Sequence, residues 1–271
     1  MTRVKNNQDS VRPKKALGQH FLTDQNVAMA IVDALKGKGS VLEVGPGMGV
    51  LTQYLIGRPD TELKLVEIDT ESVRYLLEHY PAVASGLYEA DFLKLPLEKV
   101  FAGSFAVIGN FPYNISSQIF FKILDYREQV PEVVCMIQKE VAERLAAGPG
   151  SKTYGILSVL LQVWYDIEYL FTVGEGAFVP PPKVKSAVIR LTRNSRNDLC
   201  DAEGRKVDGT LLRKVVKMSF NQRRKTIRNS LRPLVAETGV DIPERWQQLR
   251  PEQLSVSDFL TLTADFCDKI L

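Results

Sequence analysis

A glycine-rich turn after a short apolar run constrains the fold of this 271-residue chain most strongly. The run at 41–44 is followed by Gly45, Gly47 and Gly49, and helix-forming residues come next. Glycine allows the backbone to turn tightly and to pass close to a ligand. A strand, a glycine turn and a helix in this order are typical of sites that bind a nucleoside-bearing cofactor.

Strand-like runs alternate with helical ones over the first half of the chain, and two further strand-like runs follow in the second half. The predicted strands are 41–44, 63–68, 86–89, 105–109, 132–137, 166–173 and 186–192. The predicted helices between them are 24–35, 49–57, 70–79, one from 116, 139–147 and 154–164. This alternation indicates an α/β fold with a parallel, doubly wound, Rossmann-like sheet. Ligands of such sheets bind at the carboxyl ends of the strands.

The polar segment 193–208 separates this region from a C-terminal part with helical periodicity only. We therefore predict three parts: a basic N-terminal arm at 1–22, an α/β domain at 23–195 and a small all-α domain at 196–271.

Composition excludes several classes of protein. The sequence contains no run of about 18 apolar residues, so we expect no membrane span. The N-terminus is basic but lacks the apolar core of a secretion signal. Cys135, Cys200 and Cys267 are odd in number and far apart, which argues against a disulfide framework or a zinc site. His20 and His79 are the only histidines, so we expect no bound metal. We also expect a cytoplasmic protein.

The positive charge is concentrated in one segment. Residues 211–234 hold eight Lys and Arg residues and no acidic residue, so the net charge of +3 leaves −5 for the rest of the chain. Solvated helix faces usually interleave acidic residues. The segment therefore indicates contact with nucleic acid.

Three acidic residues near predicted strand ends are candidates for cofactor binding. Glu67 follows Gly47 by 20 residues, where a carboxylate can accept both hydroxyls of a ribose. Asp91 follows a third strand and could accept a hydrogen bond from an adenine amine, or could equally cap a helix that begins at Phe92. Glu43 could be a buried carboxylate near the reacting centre. These residues alone would also fit a nicotinamide enzyme.

The tetrapeptide Asn110-Phe111-Pro112-Tyr113 ends another apolar run and predicts methyl transfer to a nitrogen. The Asn110 side-chain oxygen and the Phe111 carbonyl could accept the two N–H bonds of an exocyclic amine, while Pro112 stiffens the turn. Tyr113 offers a stacking face, and Phe178 is a candidate for the opposite wall around an extruded base. The alternatives are an ordinary strand-end turn for the tetrapeptide and a core position for Phe178.

Several segments resemble the rRNA adenine N6-dimethyltransferase family in the same order along the chain. They are KKALGQHFL (14–22), VLEVGPGMGVLT (41–52), NFPYNIS (110–116), QKEVAERL (138–145), SKTYG (151–155), FVPPPKVKSAV (178–188) and FNQRRKTIRNSL (220–231). The last segment is similar to the members that act on the small-subunit (16S-type) rRNA. The sequence departs from the family at His20, where Asn is frequent, and at Phe111, where Leu is usual.

The resemblance implies a class I methyltransferase domain that uses S-adenosyl-L-methionine and no metal. Its cofactor contacts would be His20, Leu22, Gly45, Gly47, Glu67, Asp91 and Asn110. The helical domain would bind RNA through Arg223, Arg224, Lys225 and Arg228. The implied reaction is dimethylation of the N6 amines of two adjacent adenosines in the hairpin loop near the 3′ end of the rRNA.

The resemblance also implies the partner, which is small-subunit rRNA within a pre-30S-type particle, and a role in subunit biogenesis. We expect no membrane contact, and a monomer is the default. The alternatives are an Erm-like enzyme that methylates large-subunit rRNA and a ribosome-assembly factor with secondary catalysis. A nicotinamide-dependent oxidoreductase is a distant further alternative, because it explains neither the tetrapeptide nor the basic segment.

Overall fold

A computed structural model describes residues 11–270. The part of the predicted N-terminal arm that precedes residue 11 lies outside the described residues. The chain divides into two compact units: the chain up to Ala142 with Ile167–Arg193, and Glu143–Asp166 with the chain from Asn194 onward. The second unit thus includes a mid-chain stretch that the sequence analysis assigned to the α/β domain.

The strands of the described residues belong to a large sheet and a two-stranded one. In chain order they are β1 (Phe21–Leu22), β2 (Gly39–Val44), β3 (Thr61–Glu67), β4 (Leu87–Glu89), β5 (Ala106–Asn110), β6 (Glu132–Gln138), β7 (Tyr165–Val173), β8 (Phe178–Val179) and β9 (Ser186–Arg193). The large sheet has the strand order β4-β3-β2-β5-β6-β9-β7, and β1 pairs with β8. The α/β fold class is confirmed.

The alternation of strands and helices predicted a parallel sheet, which holds for β2 to β6 but not for β9. Strands β2 to β6 pair in parallel, but β9 runs antiparallel to β6, with Cys135 opposite Ile189. A parallel partner needs a crossover connection, usually a helix. In the sheet β9 lies between β6 and the edge strand β7, and the chain from β7 to β9 contains no α-helix that could serve as such a crossover.

Helices flank the sheet and build the second unit. They are α1 (Gln25–Asp33), α2 (Thr52–Ile56), α3 (Thr70–His79), α4 (Ser116–Asp125), α5 (Lys139–Ala146), α6 (Ile156–Gln162), α7 (Gly209–Asn221), α8 (Ile227–Ser230), α9 (Arg232–Thr238), α10 (Glu244–Gln247) and α11 (Val256–Ile270). None of those described is long and apolar enough to cross a membrane.

Local signals account for where the helices of the first unit begin. The Asp24 carboxylate accepts hydrogen bonds from the backbone N–H groups of Asn26 and Val27, and so caps α1. Asp69 caps α3 in the same way. The inner face of α1 then buries Ile31 and Val32, as expected for an amphipathic helix that covers a sheet.

The centre of the sheet is closely packed where β5 meets β2. A Cβ atom on Gly109 would lie 2.4 Å from the Val44 carbonyl oxygen. Only glycine therefore fits immediately before Asn110. This packing fixes the end of β5, from which the tetrapeptide emerges.

The second unit is an all-helical bundle with an aromatic centre. Helix α7 begins at the Asp208 cap and packs against α6 and α11. The Phe220 ring lies edge-on to Tyr154, with 6.0 Å between ring centroids, and 5.8 Å from Phe259. Tyr154 brings the mid-chain stretch into this core, which explains why that stretch joins the unit.

Candidate active site

A cavity of about 290 Å³ lies at the carboxyl ends of the central parallel strands. Its size is close to the lower end of the range for small-molecule sites. The predicted site residues that line it are His20, Leu22, Gly45, Gly47, Glu67, Asp91, Asn110, Phe111, Pro112 and Tyr113. The structure thus brings the glycine turn and the tetrapeptide to one place, while their individual roles stay predictions.

The glycine turn has the left-handed backbone that its sequence predicts. The φ angles of Gly45, Gly47 and Gly49 are +67°, +56° and +78°, a conformation that disfavours other residues. A Cβ atom on Gly47 would also lie 2.9 Å from the Phe21 ring. The turn is therefore closely covered by the segment around β1.

Glu67 is held rigidly at the end of β3. Its Oε1 accepts the backbone N–H groups of Ile68 and Asp69, both at 2.9 Å, and its Oε2 accepts that of Gly47 at 3.0 Å. Burial raises the pKa of Glu67, and these hydrogen bonds act in the opposite direction. The carboxylate links the glycine turn to the next strand at a fixed position on the cavity wall.

Glu43 is a second buried carboxyl group of the cavity. It is 1% exposed and accepts a hydrogen bond from the Thr52 hydroxyl at 2.7 Å. Burial raises the pKa of Glu43 to about 8, with a further contribution from the charge of Glu67. The sequence suggested that Glu43 is buried, but nothing in it identified Thr52 as its partner.

The charge of the lining discriminates between classes of cofactor. Glu43, Glu67 and Asp91 all line the cavity, and none of the described lining residues is Lys or Arg. A dinucleotide would bring a pyrophosphate into these acidic surroundings. The lining instead suits a nucleoside cofactor that carries positive charge.

Asp91 organises the turn that follows β4. Its Oδ1 accepts the Leu93 N–H at 2.9 Å, and its carbonyl oxygen accepts the N–H groups of Lys94 and Leu95. The residues after it form a turn and not the α-helix of the alternative interpretation. Asp91 therefore caps this turn and also borders the cavity.

The Asn110 amide is oriented by the chain segment that precedes β1. Its Nδ2 donates to the His20 carbonyl oxygen at 3.0 Å. The next residue, Phe111, donates its N–H to the Met136 carbonyl at 3.0 Å, and its ring packs edge-on against Phe120. With Nδ2 engaged, Oδ1 is the atom of Asn110 that remains to accept a hydrogen bond from a ligand.

Tyr113 is held by contacts with His20 and Ser186, which belong to two distant segments. Its ring stacks on His20, with 5.5 Å between centroids and 27° between the planes. Its hydroxyl hydrogen bonds with that of Ser186. His20 Nδ1 in turn donates to the Pro180 carbonyl at 2.9 Å. The sequence did not reveal the contact with Ser186, because 73 residues separate the two hydroxyls.

Phe178 does not line the cavity in this structure. It is 2% exposed, lies opposite Leu22 in the two-stranded sheet and packs into the core with Val134. This placement matches the alternative interpretation of an ordinary core residue. Its stacking on an extruded base stays a prediction that requires the ring to move.

The described part of the N-terminal arm is fastened to α3. The Lys14 ammonium forms an ion pair with Asp69 and lies 3.1 Å from Glu71, and Gln19 Nε2 donates to Asp69 at 3.2 Å. Residues 16–22 then line the cavity. The positive charge of Lys14 thus holds the arm beside the cavity.

The basic segment lies in the second unit. Arg224 and Lys225 are exposed between α7 and α8, and Arg228 is exposed on α8, as a surface for nucleic acid requires. Arg223 is half-buried, and its guanidinium donates to the Ser151 carbonyl at 3.4 Å. Arg223 therefore makes a packing contact within the unit, whereas the other three cations of the predicted RNA-binding set are exposed.

The sheet order, the glycine turn and the acidic residue at the end of β3 define a Rossmann-like methyltransferase. A comparison with protein families specifies the class: the model of the family described as "Ribosomal RNA adenine dimethylase" matches residues 11–263. The chain belongs to this family.

Individual relatives agree with this assignment. A "Ribosomal RNA small subunit methyltransferase A" from Parabacteroides distasonis is 59% identical over 256 residues, which cover 93% of each chain. The solved dimethyladenosine transferase of Plasmodium falciparum has a TM-score of 0.76 at 23% identity, over 93% of this chain and 99% of that one. The 23S rRNA methyltransferase ErmE has a TM-score of 0.64 at 25% identity, over 90% and 99%.

Proposed function

We propose that this methyltransferase uses S-adenosyl-L-methionine to dimethylate the N6 amines of two adjacent adenosines in small-subunit rRNA. The substrate would be the 3′-terminal hairpin loop within a pre-30S-type particle in the cytoplasm. The observation that carries the proposal is the shared cavity of Asn110, the glycine turn and Glu67. The name of the P. distasonis relative supports the choice of subunit.

The residues of the cavity fit the proposed cofactor. Glu67, fixed by three backbone N–H groups, would accept the ribose hydroxyls, and Asp91 would accept the adenine amine. The acidic lining suits the sulfonium and ammonium charges of S-adenosylmethionine. The cofactor supplies an activated methyl group on this sulfonium. Among the described residues, no group of His, Cys, Asp and Glu is arranged to hold a metal.

Asn110 would orient the target amine. Because its Nδ2 donates to the His20 carbonyl, its Oδ1 can accept one N–H of the adenine amine. The Phe111 carbonyl would accept the other, so that the nitrogen lone pair is directed at the methyl group. The methyl donor is already activated, so positioning supplies most of the rate and no strong general base is required.

Tyr113 would hold the adenine ring by stacking. Its ring is immobilised by His20 and Ser186, and stacking of a base on an aromatic ring is worth roughly 1–3 kcal/mol. A base that enters the pocket would have to be extruded from its RNA stack.

The exposed cations of the second unit would bind the RNA backbone. Arg224, Lys225 and Arg228 can each neutralise a phosphate. Every such contact releases counterions, so the affinity for RNA should fall as the salt concentration rises. The logarithm of the binding constant should fall with the logarithm of the salt concentration, with a slope of about one per phosphate contact. Monomeric behaviour and a role in subunit biogenesis complete the proposal.

A methylation assay on unmethylated small subunits tests the proposed function. We expect N6,N6-dimethyladenosine in digests of small-subunit rRNA and none in large-subunit rRNA treated in parallel. Methylation of large subunits alone would support the Erm-like alternative, which the name of the P. distasonis relative does not favour. Tight particle binding without methyl transfer would support the assembly factor.

A further inference from the structure

Lys122 connects α4 to the turn that follows β4, and it had no role in the sequence analysis. It lies on α4, which begins directly after the cavity residues 110–115. Its ammonium donates to the carbonyl oxygens of Phe92 and Leu95. These carbonyls belong to the turn capped by Asp91, so one cation joins the turn to the helix.

The surroundings of Lys122 favour this single position of the ammonium. The charge lies 5.1 Å from the centroid of the Phe92 ring and 5.8 Å from that of Tyr126, within the range of cation–π attraction. A hydrogen bond of 2.6 Å from the hydroxyl of Tyr126, the residue that follows α4, to Glu98 forms a second link to the segment just beyond this turn. Burial lowers the pKa of Lys122, and the charges of Asp91 and Glu98 act in the opposite direction.

The turn held by Lys122 carries cavity residues. Ala90, Asp91, Phe92 and Leu93 all line the cavity, and the turn contains no regular helix or strand of its own. A turn of this kind relies on contacts with its neighbours for a fixed geometry. The two charge-assisted hydrogen bonds from Lys122 are contacts of this kind, and they are stronger than neutral ones.

We propose that Lys122 is a positioning residue for cofactor binding, which keeps Asp91 and Leu93 at the cavity by tying their turn to α4. This inference rests on the proposed function, because it requires that the cavity binds S-adenosylmethionine. It assigns Lys122 to the affinity for the cofactor and not to the transfer of the methyl group.

The test compares variants of the full chain by calorimetric titration with S-adenosylmethionine and by steady-state kinetics. Lys122→Met keeps the aliphatic stem and removes the ammonium. We expect a Kd and a KM for the cofactor at least fivefold higher than in the wild type, with kcat at saturating cofactor within twofold. Lys122→Arg, which keeps a charged donor, should recover most of the affinity.

The matched control is Lys94→Met. Lys94 lies in the same turn, and its exposed ammonium is 3.7 Å from Asp91. The turn carbonyls accept their hydrogen bonds from Lys122, so we expect less than a twofold change in Kd for Lys94→Met. An unchanged cofactor Kd in Lys122→Met overturns the inference, as does an equal loss in both variants. If Lys122→Met does not fold, Lys122→Gln replaces it, and unchanged affinity there has the same meaning. A wild-type protein that does not bind the cofactor would refute the proposed function itself.

Discussion

Replacement of Glu43 by Gln should remove a large pH dependence of stability. The pKa of Glu43 rises from the ordinary value of 4.5 to about 8 on folding because the group is buried. Between these two values the folded protein binds more protons than the unfolded chain. The free energy of unfolding therefore falls as the pH rises through this window.

The size of the effect follows from the two pKa values. Each unit between them is worth about 1.4 kcal/mol, and most of the interval lies between pH 5 and pH 8. Because the unfolded chain releases this proton at a lower pH than the folded protein does, the wild type should lose roughly 3 kcal/mol of stability over this range. Glu43→Gln keeps an oxygen that can accept the Thr52 hydrogen bond and has no proton to lose.

Urea unfolding of both proteins at several pH values measures this difference. We expect the variant to gain roughly 3 kcal/mol on the wild type between pH 5 and pH 8, through a shift of the midpoint at constant slope. The same substitution at Glu62, an exposed residue of the neighbouring strand β3, controls for the loss of one carboxylate. A difference between wild type and Glu43→Gln that does not vary with pH would show that Glu43 is already ionised in the folded protein.

Three further variants test other parts of the protein. Asn110→Ala should slow methyl transfer by at least about 100-fold, because the target amine loses its alignment. Calorimetry should show little change in the Kd for the cofactor. Near-normal turnover on small subunits would contradict the mechanism. Arg224→Glu combined with Lys225→Glu should weaken particle binding in a filter assay and leave cofactor affinity unchanged, and undiminished particle binding would exclude this surface. Asp69→Asn keeps a residue that can cap α3 but removes the ion pair with Lys14, so cofactor titration should show weaker binding. Burial acts to raise the pKa of Asp69, but its hydrogen bonds hold that pKa below the ordinary value. The stabilisation by Asp69 is therefore present above the ordinary pKa and is lost in acid, and thermal melts of variant and wild type should converge as the pH falls.

Local signals in the sequence were sufficient for most elements of the first unit. Helix α3 occupies 70–79 as predicted, because Asp69 provides a cap and the apolar residues repeat with helical spacing. The antiparallel direction of β9 could not be predicted in this way. A continuous apolar run indicates a buried strand but does not reveal the direction of its neighbour.

The candidate site was predictable where its residues lie at strand ends. Gly47, Glu67 and Asn110 meet because the carboxyl ends of parallel strands share one edge of the sheet. The contacts of Lys122 and of the Tyr113 hydroxyl depend on segments that are distant in sequence, and no local pattern encodes them. Phe178 shows the reverse case, since a motif predicts a stacking role and the structure places the ring in the core.

The buried position of Glu43 is costly when the cavity holds no ligand. A carboxyl group whose pKa is raised to about 8 by burial lowers stability at neutral pH, and an apolar residue on β2 would avoid this penalty. A cationic ligand in the cavity would reverse the balance, because attraction between the ligand and an ionised Glu43 grows as water is excluded. The cofactor carries its sulfonium charge before methyl transfer and loses it afterwards. A carboxylate at this position would therefore favour the methyl donor over its neutral product and so assist exchange of the spent cofactor.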